Sequence, residues 1–203
     1  MLLIVLVFIT ACNNADVTRY VDPNIGGVAT LLTTKNPTVH RPHSMIRVFP
    51  VTKPGLGDRY LSDKIYGFAV NMPAYRNGHV TEIMPTSGKI LAGQTENAST
   101  YDHDMEEVHP WYHKVLLEDP EIISDWTTTE RAVIYRFLFQ NTSSGHIIFR
   151  SRGNASFIVS GNNAIQGWEE SNNTMQYFFA EFSKTFASFG SMTLGNFSSG
   201  HKE

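Results

Sequence analysis

The stretch Val133-Ile134-Tyr135-Arg136-Phe137-Leu138-Phe139 alternates with a period of two: Val133, Tyr135, Phe137 and Phe139 share one face, and Ile134, Arg136 and Leu138 share the other. That is the pattern of a β-strand with one aromatic, core-facing side. Working outward, Ile122 to Thr129 carries Thr and Trp, both strand-favouring, and Tyr112 to Leu117 is again rich in β-formers. On the other side, His146 to Phe149 and Ser156 to Val159 are short apolar runs separated by Ser151-Arg152-Gly153-Asn154, and Met175 to Phe182 reads as a long aromatic strand. Upstream, Asp58 to Val70 gives one or two strands and Gly78 to Pro85 another, while the polar, Gly/Asn/Ser/Thr-rich segment from Thr86 to Met105 reads as a loop. No window of twelve or more residues carries a 3.6 period. Many short strands at near-regular spacing predict an all-β fold of packed antiparallel sheets.

A chain of 203 residues accommodates one such domain with a sizeable core. Charged residues make up 17% and the net charge is −3, which gives no electrostatic basis for binding nucleic acid or an anionic membrane surface. With Cys12 as the single cysteine, an intrachain disulfide is excluded. Leu2 to Ile9 is an apolar run too short to span a bilayer as a helix. It leads into Ile9-Thr10-Ala11-Cys12 and then polar Asn13-Asn14. Residues 1–12 are therefore expected to be a lipoprotein signal peptide with Cys12 as the acylated residue, and 13–19 a tether to a domain spanning 20–203. That places the protein in the bacterial cell envelope, exported and anchored to membrane by lipid. An ordinary signal peptide with an incidental cysteine is the alternative.

The segment at the start of the domain is the candidate binding edge. It reads Tyr20-Val21-Asp22-Pro23-Asn24-Ile25-Gly26-Gly27 and, after a polar connector, Asn36-Pro37-Thr38-Val39-His40-Arg41-Pro42-His43-Ser44-Met45-Ile46-Arg47-Val48-Phe49-Pro50. Asp22-Pro23 imposes an extended or turn conformation, and Gly26-Gly27 lets the backbone turn where a side chain would clash. Pro37 and Pro42 stiffen the loop carrying His40, Arg41 and His43, and Met45 to Phe49 reads as a following strand. Polar side chains on a stiff loop suit hydrogen bonding to sugar hydroxyls, and suit docking on a neighbouring domain equally well.

Three ordered blocks resemble the amino-terminal domain of glycoside hydrolase family 92, the calcium-dependent exo-acting α-mannosidases. Val21 to Gly26 matches the family's Val-Asp-Pro-x-Ile-Gly opening, and Pro37, Pro42 and Met45 keep the spacing of the proline-rich segment that follows, although Thr38, His40, His43 and Ser44 depart from it. Trp111 to Leu117, then Ile123, Asp125, Thr127, Thr129, Arg131 and Arg136, are similar to the family's strand ladder, with Asp125 where Glu is usual. Tyr177 to Phe186 is similar to its Ala-Glu-Phe-Ser-Lys-Pro-Phe strand, with Thr185 in place of Pro. The resemblance implies a galactose-mutarotase-like β-supersandwich. It implies a catalytic helical domain beyond Glu203 that carries the acid, the base and the calcium ligands, and α-mannoside glycans as substrate. This chain would then be inactive alone and hold no cofactor of its own. It would lend Asn24, Gly26, Gly27, His40, Arg41 and His43 to the substrate groove. A free-standing carbohydrate-binding surface lipoprotein is the other class the sequence allows.

The remaining chemistry-bearing residues carry weaker patterns. Glycoside hydrolysis takes two carboxyl groups roughly 5–10 Å apart. Asp102, Asp104, Glu106 and Glu107 are the acidic candidates, and their composition reads as a solvated acidic loop. Together with His103 and His109 they match neither zinc spacing nor an EF-hand loop. Trp111 and Trp168 are candidate sugar-stacking platforms, Trp168 being expected on the surface, and Trp126 is expected in the core. The sequons at Asn97, Asn141, Asn154, Asn172 and Asn196 read as chance matches in Asn-rich loops. No P-loop, Gly-x-Gly-x-x-Gly or Gly-x-Ser-x-Gly is present.

Overall fold

The computed structural model describes residues 16–28, 35–52, 62–74, 78–91, 93, 95–141, 144–171, 173–193 and 196–200. The expected signal segment with Cys12, residues 58–61 and Asn172 lie outside them. Among the described residues the helical elements are three short 3-10 turns, and the remainder of the regular structure is antiparallel strand.

The strand decided by alternation, Val133–Phe139 (β9), is built as its sequence requires: the odd-numbered residues are half-buried and the even-numbered ones exposed. It ends a four-stranded sheet with Glu107–His109 (β6), Tyr112–Leu117 (β7) and Ile122–Thr128 (β8), in the order β6-β7-β8-β9. Asp125 lies opposite Arg136 in that register, and the guanidinium donates from Nε at 2.9 Å and from a terminal nitrogen at 2.7 Å to one carboxylate oxygen. A second four-stranded sheet runs β1-β3-β4-β10, from Pro50–Val51 (β1), Gly67–Ala74 (β3), Gly78–Ser87 (β4) and Gly145–Arg150 (β10). The two sheets pack face to face. Phe68, Ile83 and Met84 from one meet Val115, Leu117, Ile122 and Trp126 from the other. Phe68 and Trp126 rings lie 4.8 Å apart, and the Tyr135 hydroxyl donates across the interface to the Ala69 carbonyl at 2.7 Å. Lys64–Ile65 (β2) pairs with Ser99–Thr100 (β5) and brings Ile65 and Tyr101 into the same core. Burial of rows of branched and aromatic side chains between two sheets is the main force holding a sandwich together.

A third sheet, Asn154–Ser160 (β11), Ala164–Ser171 (β12) and Thr174–Glu181 (β13), joins this sandwich at Phe149, whose ring stacks on Phe178 at 5.9 Å and meets Phe157 and Phe182 edge-on. A last hairpin pairs Gly190–Thr193 (β14) with Asn196–Ser199 (β15). The architecture is thus an all-β antiparallel sandwich, as the strand pattern predicts.

Two local expectations are corrected. Met45 to Phe49 does not form a regular strand: only an isolated antiparallel bridge, Val39 to Val48, forms there, and Met45 is exposed. The short Ser44 side chain diverts this segment, its hydroxyl donating to the Thr129 carbonyl at 2.9 Å and reaching the Glu130 carbonyl at 3.1 Å. Trp168 is not on an exposed loop but half-buried in the middle of β12. The neighbouring Gly167 is a packing residue: a Cβ there would meet the Ser156 carbonyl oxygen at 2.6 Å and the Phe157 and Phe178 rings at 2.7 and 2.9 Å.

One buried carboxylate ties the third sheet to the second. Thr81 in β4 has φ +36, a strained value for a β-branched residue, and the β3–β4 register skips it. Its backbone N–H and its hydroxyl both donate to Glu169 Oε2, at 2.7 and 2.8 Å, and the Arg152 N–H donates to Oε1 at 3.0 Å. Glu169 is 1% exposed. A buried charge without those donors would be costly, so the three bonds and the strained backbone are one unit. Glu169→Ala is expected to lower the unfolding free energy by about 3 kcal/mol, since it strands two buried donors of Thr81. Urea denaturation measures the change; a shift below a third of that value would show that the strand holds its bend without the carboxylate.

Candidate functional site

The opening segment folds into two turns on one edge of the sandwich. Asp22 Oδ1 accepts the Asn24 N–H at 2.8 Å, and the Gly27 N–H closes onto the Asn24 carbonyl at 2.8 Å. Gly26 takes φ +87, which a side chain would resist, and its carbonyl accepts from the Lys35 N–H at 2.7 Å. Asn24 and Gly27 thereby line a cleft of about 90 Å³ with Val28, Pro37, Pro50, Thr52, Tyr101, His103 and Glu106. Gly26 acts through its backbone conformation and is not among the lining residues.

The second turn carries His40, Arg41 and His43. His40 is half-buried, with its Nδ1–H donating to the Ile46 carbonyl at 2.9 Å and its backbone N–H to the Pro110 carbonyl at 3.2 Å. That ring therefore holds its own loop closed and presents only Nε2 outward. Arg41 and His43 are exposed. The Arg41 carbonyl accepts the Ser44 N–H at 3.0 Å, which turns the chain at His43, φ +61. Met45 N–H donates to the Glu130 carbonyl at 2.8 Å, so the turn is clamped to the β8–β9 connection. The two turns meet along β6 and its flanks: the first faces Tyr101 to Glu106, and the second bonds Pro110.

At the cleft wall the sequence reading is corrected at Glu106. Asp102, Asp104 and Glu107 are exposed, as a solvated loop would have them, but Glu106 is almost fully buried. Its Oε2 takes a bond from His103 Nδ1 at 2.9 Å and its Oε1 one from His113 Nε2 at 2.9 Å. His103 Nε2 in turn donates to the Ser62 carbonyl at 3.0 Å. His113 is 0% exposed, stacks on Trp126 at 4.3 Å, and leaves its Nδ1 buried without a hydrogen-bond partner. Sequence spacing gives no signal for this triad, because His113 faces inward in the same row as Val115 and Leu117 and only the sheet brings it to Glu106. Of the residues lining the cleft, Glu106 alone carries a carboxyl, and both its oxygens are engaged. Among the described residues the cleft lining therefore presents no free pair of carboxyl groups. Among the described residues no group of three or more His, Cys, Asp or Glu could hold a metal ion.

Of the tryptophans, Trp126 is in the core as expected. Trp111 is partly exposed beside the His40 turn and stacks flat on His109 at 5.0 Å.

These observations define an antiparallel β-sandwich with a small cleft at the edge formed by its opening turns. Residues 20–203 match the family model described as the glycosyl hydrolase family 92 N-terminal domain, and the chain belongs to that family. Among solved structures it is similar to the inverting family GH92 mannosidase of Bacteroides thetaiotaomicron, with 20% identity, a TM-score of 0.78, and coverage of 90% of this chain and 27% of that one. A second GH92 α-mannosidase of the same organism, solved in complex with mannoimidazole, matches with 20% identity and a TM-score of 0.73 over 84% of this chain and 26% of that one. A further family GH92 glycosyl hydrolase matches with 18% identity and a TM-score of 0.58 over 74% of this chain and 23% of that one. The chain spans about a quarter of the length of these structures. No curated protein sequence matches it significantly.

Two phenols in this region set an alkaline limit. Burial, with the negative Glu106 adding to it, pushes the Tyr101 hydroxyl well above its ordinary value of 10.0. Burial pushes Tyr135 up in the same direction. Both raised groups ionise more readily in the unfolded chain, so the stability they contribute is complete below pH 10 and is lost as pH rises from there through their folded values. Unfolding midpoints measured from pH 9 to 12 are expected to fall, and Tyr101→Phe is expected to flatten the fall. An unchanged slope in that variant would place the alkaline sensitivity elsewhere.

Proposed function

We propose that this chain is the N-terminal β-sandwich domain of an α-mannosidase-like glycoside hydrolase. It packs on a helical catalytic domain and its opening turns shape the mannoside-binding groove. The observation that carries this reading is the character of the edge that holds the cleft. Val17, Tyr20, Val21, Ile25 and Val28 on the opening segment, and Met45 on the next turn, all present apolar side chains to solvent. Exposed apolar surface gathered around a cleft supports a contact with another protein surface. In this arrangement the apolar side chains seat the neighbouring domain, while Asn24, Arg41 and His43 supply hydrogen-bonding groups on the same edge. His40 sets the loop's shape through Ile46. The calcium ion expected from the family resemblance belongs to the catalytic domain.

The reading separates chemistry from positioning. Expressed with the coding sequence that follows it in its gene, the longer protein is expected to release mannose from α-mannosides in calcium-containing buffer. The 203-residue chain by itself is expected to release none, and mannose release by this chain alone would overturn the assignment. In the longer protein, Asn24→Ala and His43→Asn each remove a rim group without touching the core. Each is expected to lower kcat/KM by up to roughly tenfold, the worth of one lost hydrogen bond of about 0.5–1.5 kcal/mol, with the melting temperature unchanged. Equal activity in both variants would remove these residues from the groove.

The sequence Ile9-Thr10-Ala11-Cys12 supports a further proposal, that Cys12 is acylated and holds the domain on the bacterial cell envelope. After Cys12→Ser the protein is expected to leave the membrane fraction for the soluble one, and retention in the membrane fraction would refute the lipid anchor.

A further inference from the structure

We propose that the outer face of the β11–β13 sheet is a platform for a neutral, pyranose-based glycan chain. The register sets Trp168 directly opposite Tyr177 on one side and Ser156 on the other, and Gln166 between Phe179 and Ile158. These side chains alternate onto the face opposite to Phe157, Phe178 and Glu169. Tyr177 is 76% exposed, Phe179 64% and Ile158 56%. Apolar surface of this extent on a strand face marks a binding region.

The chemistry of the face selects the occupant. Along β12 the polar side chains of Gln166 and Glu170 flank Trp168, and the register sets Phe179 beside Gln166 and Tyr177 beside Trp168. A pyranose presents an apolar face of C–H groups and a rim of hydroxyls, and so asks for flat rings flanked by amides and carboxylates. Gln166 and Glu170 are both exposed on this face, Glu170 also accepting from Asn154 Nδ2 at 3.5 Å, so each can bond a hydroxyl of the ligand. Tyr177 and Phe179 stand about 7 Å apart along their strand, so a chain lying along β13 meets them with successive sugar units. The platform is also rigid, because its inner face is fixed by the Phe149–Phe178 stack and by the Glu169 bonds to Thr81. Pre-ordered rings lower the ordering cost of binding. This platform is separate from the opening turns, so its failure leaves the groove assignment standing, and the converse holds.

The test is affinity electrophoresis of the 203-residue chain in native gels containing soluble α-mannan, with hydroxyethyl cellulose as a second neutral polysaccharide. Retardation by at least one polysaccharide is expected. Tyr177→Ala combined with Phe179→Ala is expected to weaken the apparent affinity roughly tenfold or more, as loss of stacked rings should. Both rings lie on the surface, so the double variant should keep the circular dichroism spectrum of the parent; Trp168→Ala serves as an independent second variant. Absence of retardation in both gels overturns the proposal, as does retardation that neither variant changes. Light scattering that shows a dimer abolished by the same substitutions would assign the face to a second copy of the chain and overturn it equally.

Discussion

The packing of Trp126 against Phe68 and His113 between the two large sheets is the contact on which the rest of the structure depends. The Trp126 ring lies 4.8 Å from Phe68, tilted, and 4.3 Å from His113, stacked, in the core. From there polar bonds run outward without a break, His113 to Glu106, Glu106 to His103, and His103 to the Ser62 carbonyl. Glu106 and His103 then form a wall of the cleft that Asn24 and Gly27 complete. The position of the cleft is therefore set by hydrophobic packing, through a histidine that belongs to the core and a carboxylate that belongs to the rim. The buried Nδ1 of His113 stands in that chain without a hydrogen-bond partner.

What was legible in the sequence follows from which faces are buried. In β9 and β7 one face meets the core and the other does not, so the alternation is plain and the bounds at Tyr112 and Leu117 are those read from composition. β12 escaped notice because it carries Gln, Gly and two Glu where a strand is expected to carry branched residues, and the reasons for Gly167 and Glu169 lie on other strands. Glu106 was read as one of several solvated acids, since nothing in Asp102 to Glu107 distinguishes it from its neighbours. Only the pairing of β6 with β7 brings His113 to it. The loop carrying His40 was legible as stiff and polar, but not that one ring nitrogen is spent on Ile46.

Family membership and the packing of this edge bear on each other. The chain spans about a quarter of the length of the mannosidases it resembles, and its edge of exposed apolar side chains lies next to its cleft. In the proposed reading, that edge is where this domain would meet its neighbour.

The pairing of Glu169 with Thr81 has a consequence for how this sequence can change over time. The two positions are separated by 88 residues, and one carboxylate oxygen accepts both donors of the threonine. Neither can be replaced alone: an apolar residue at 169 strands Thr81, and an apolar residue at 81 removes one of the bonds that make a buried acid tolerable. Drift at this seam has to be concerted. Among descendants of this chain, the two positions should be inherited as a pair or exchanged as a pair, while Tyr177 and Phe179 on the opposite face of the same sheet remain free of the fold and answer only to whatever they bind.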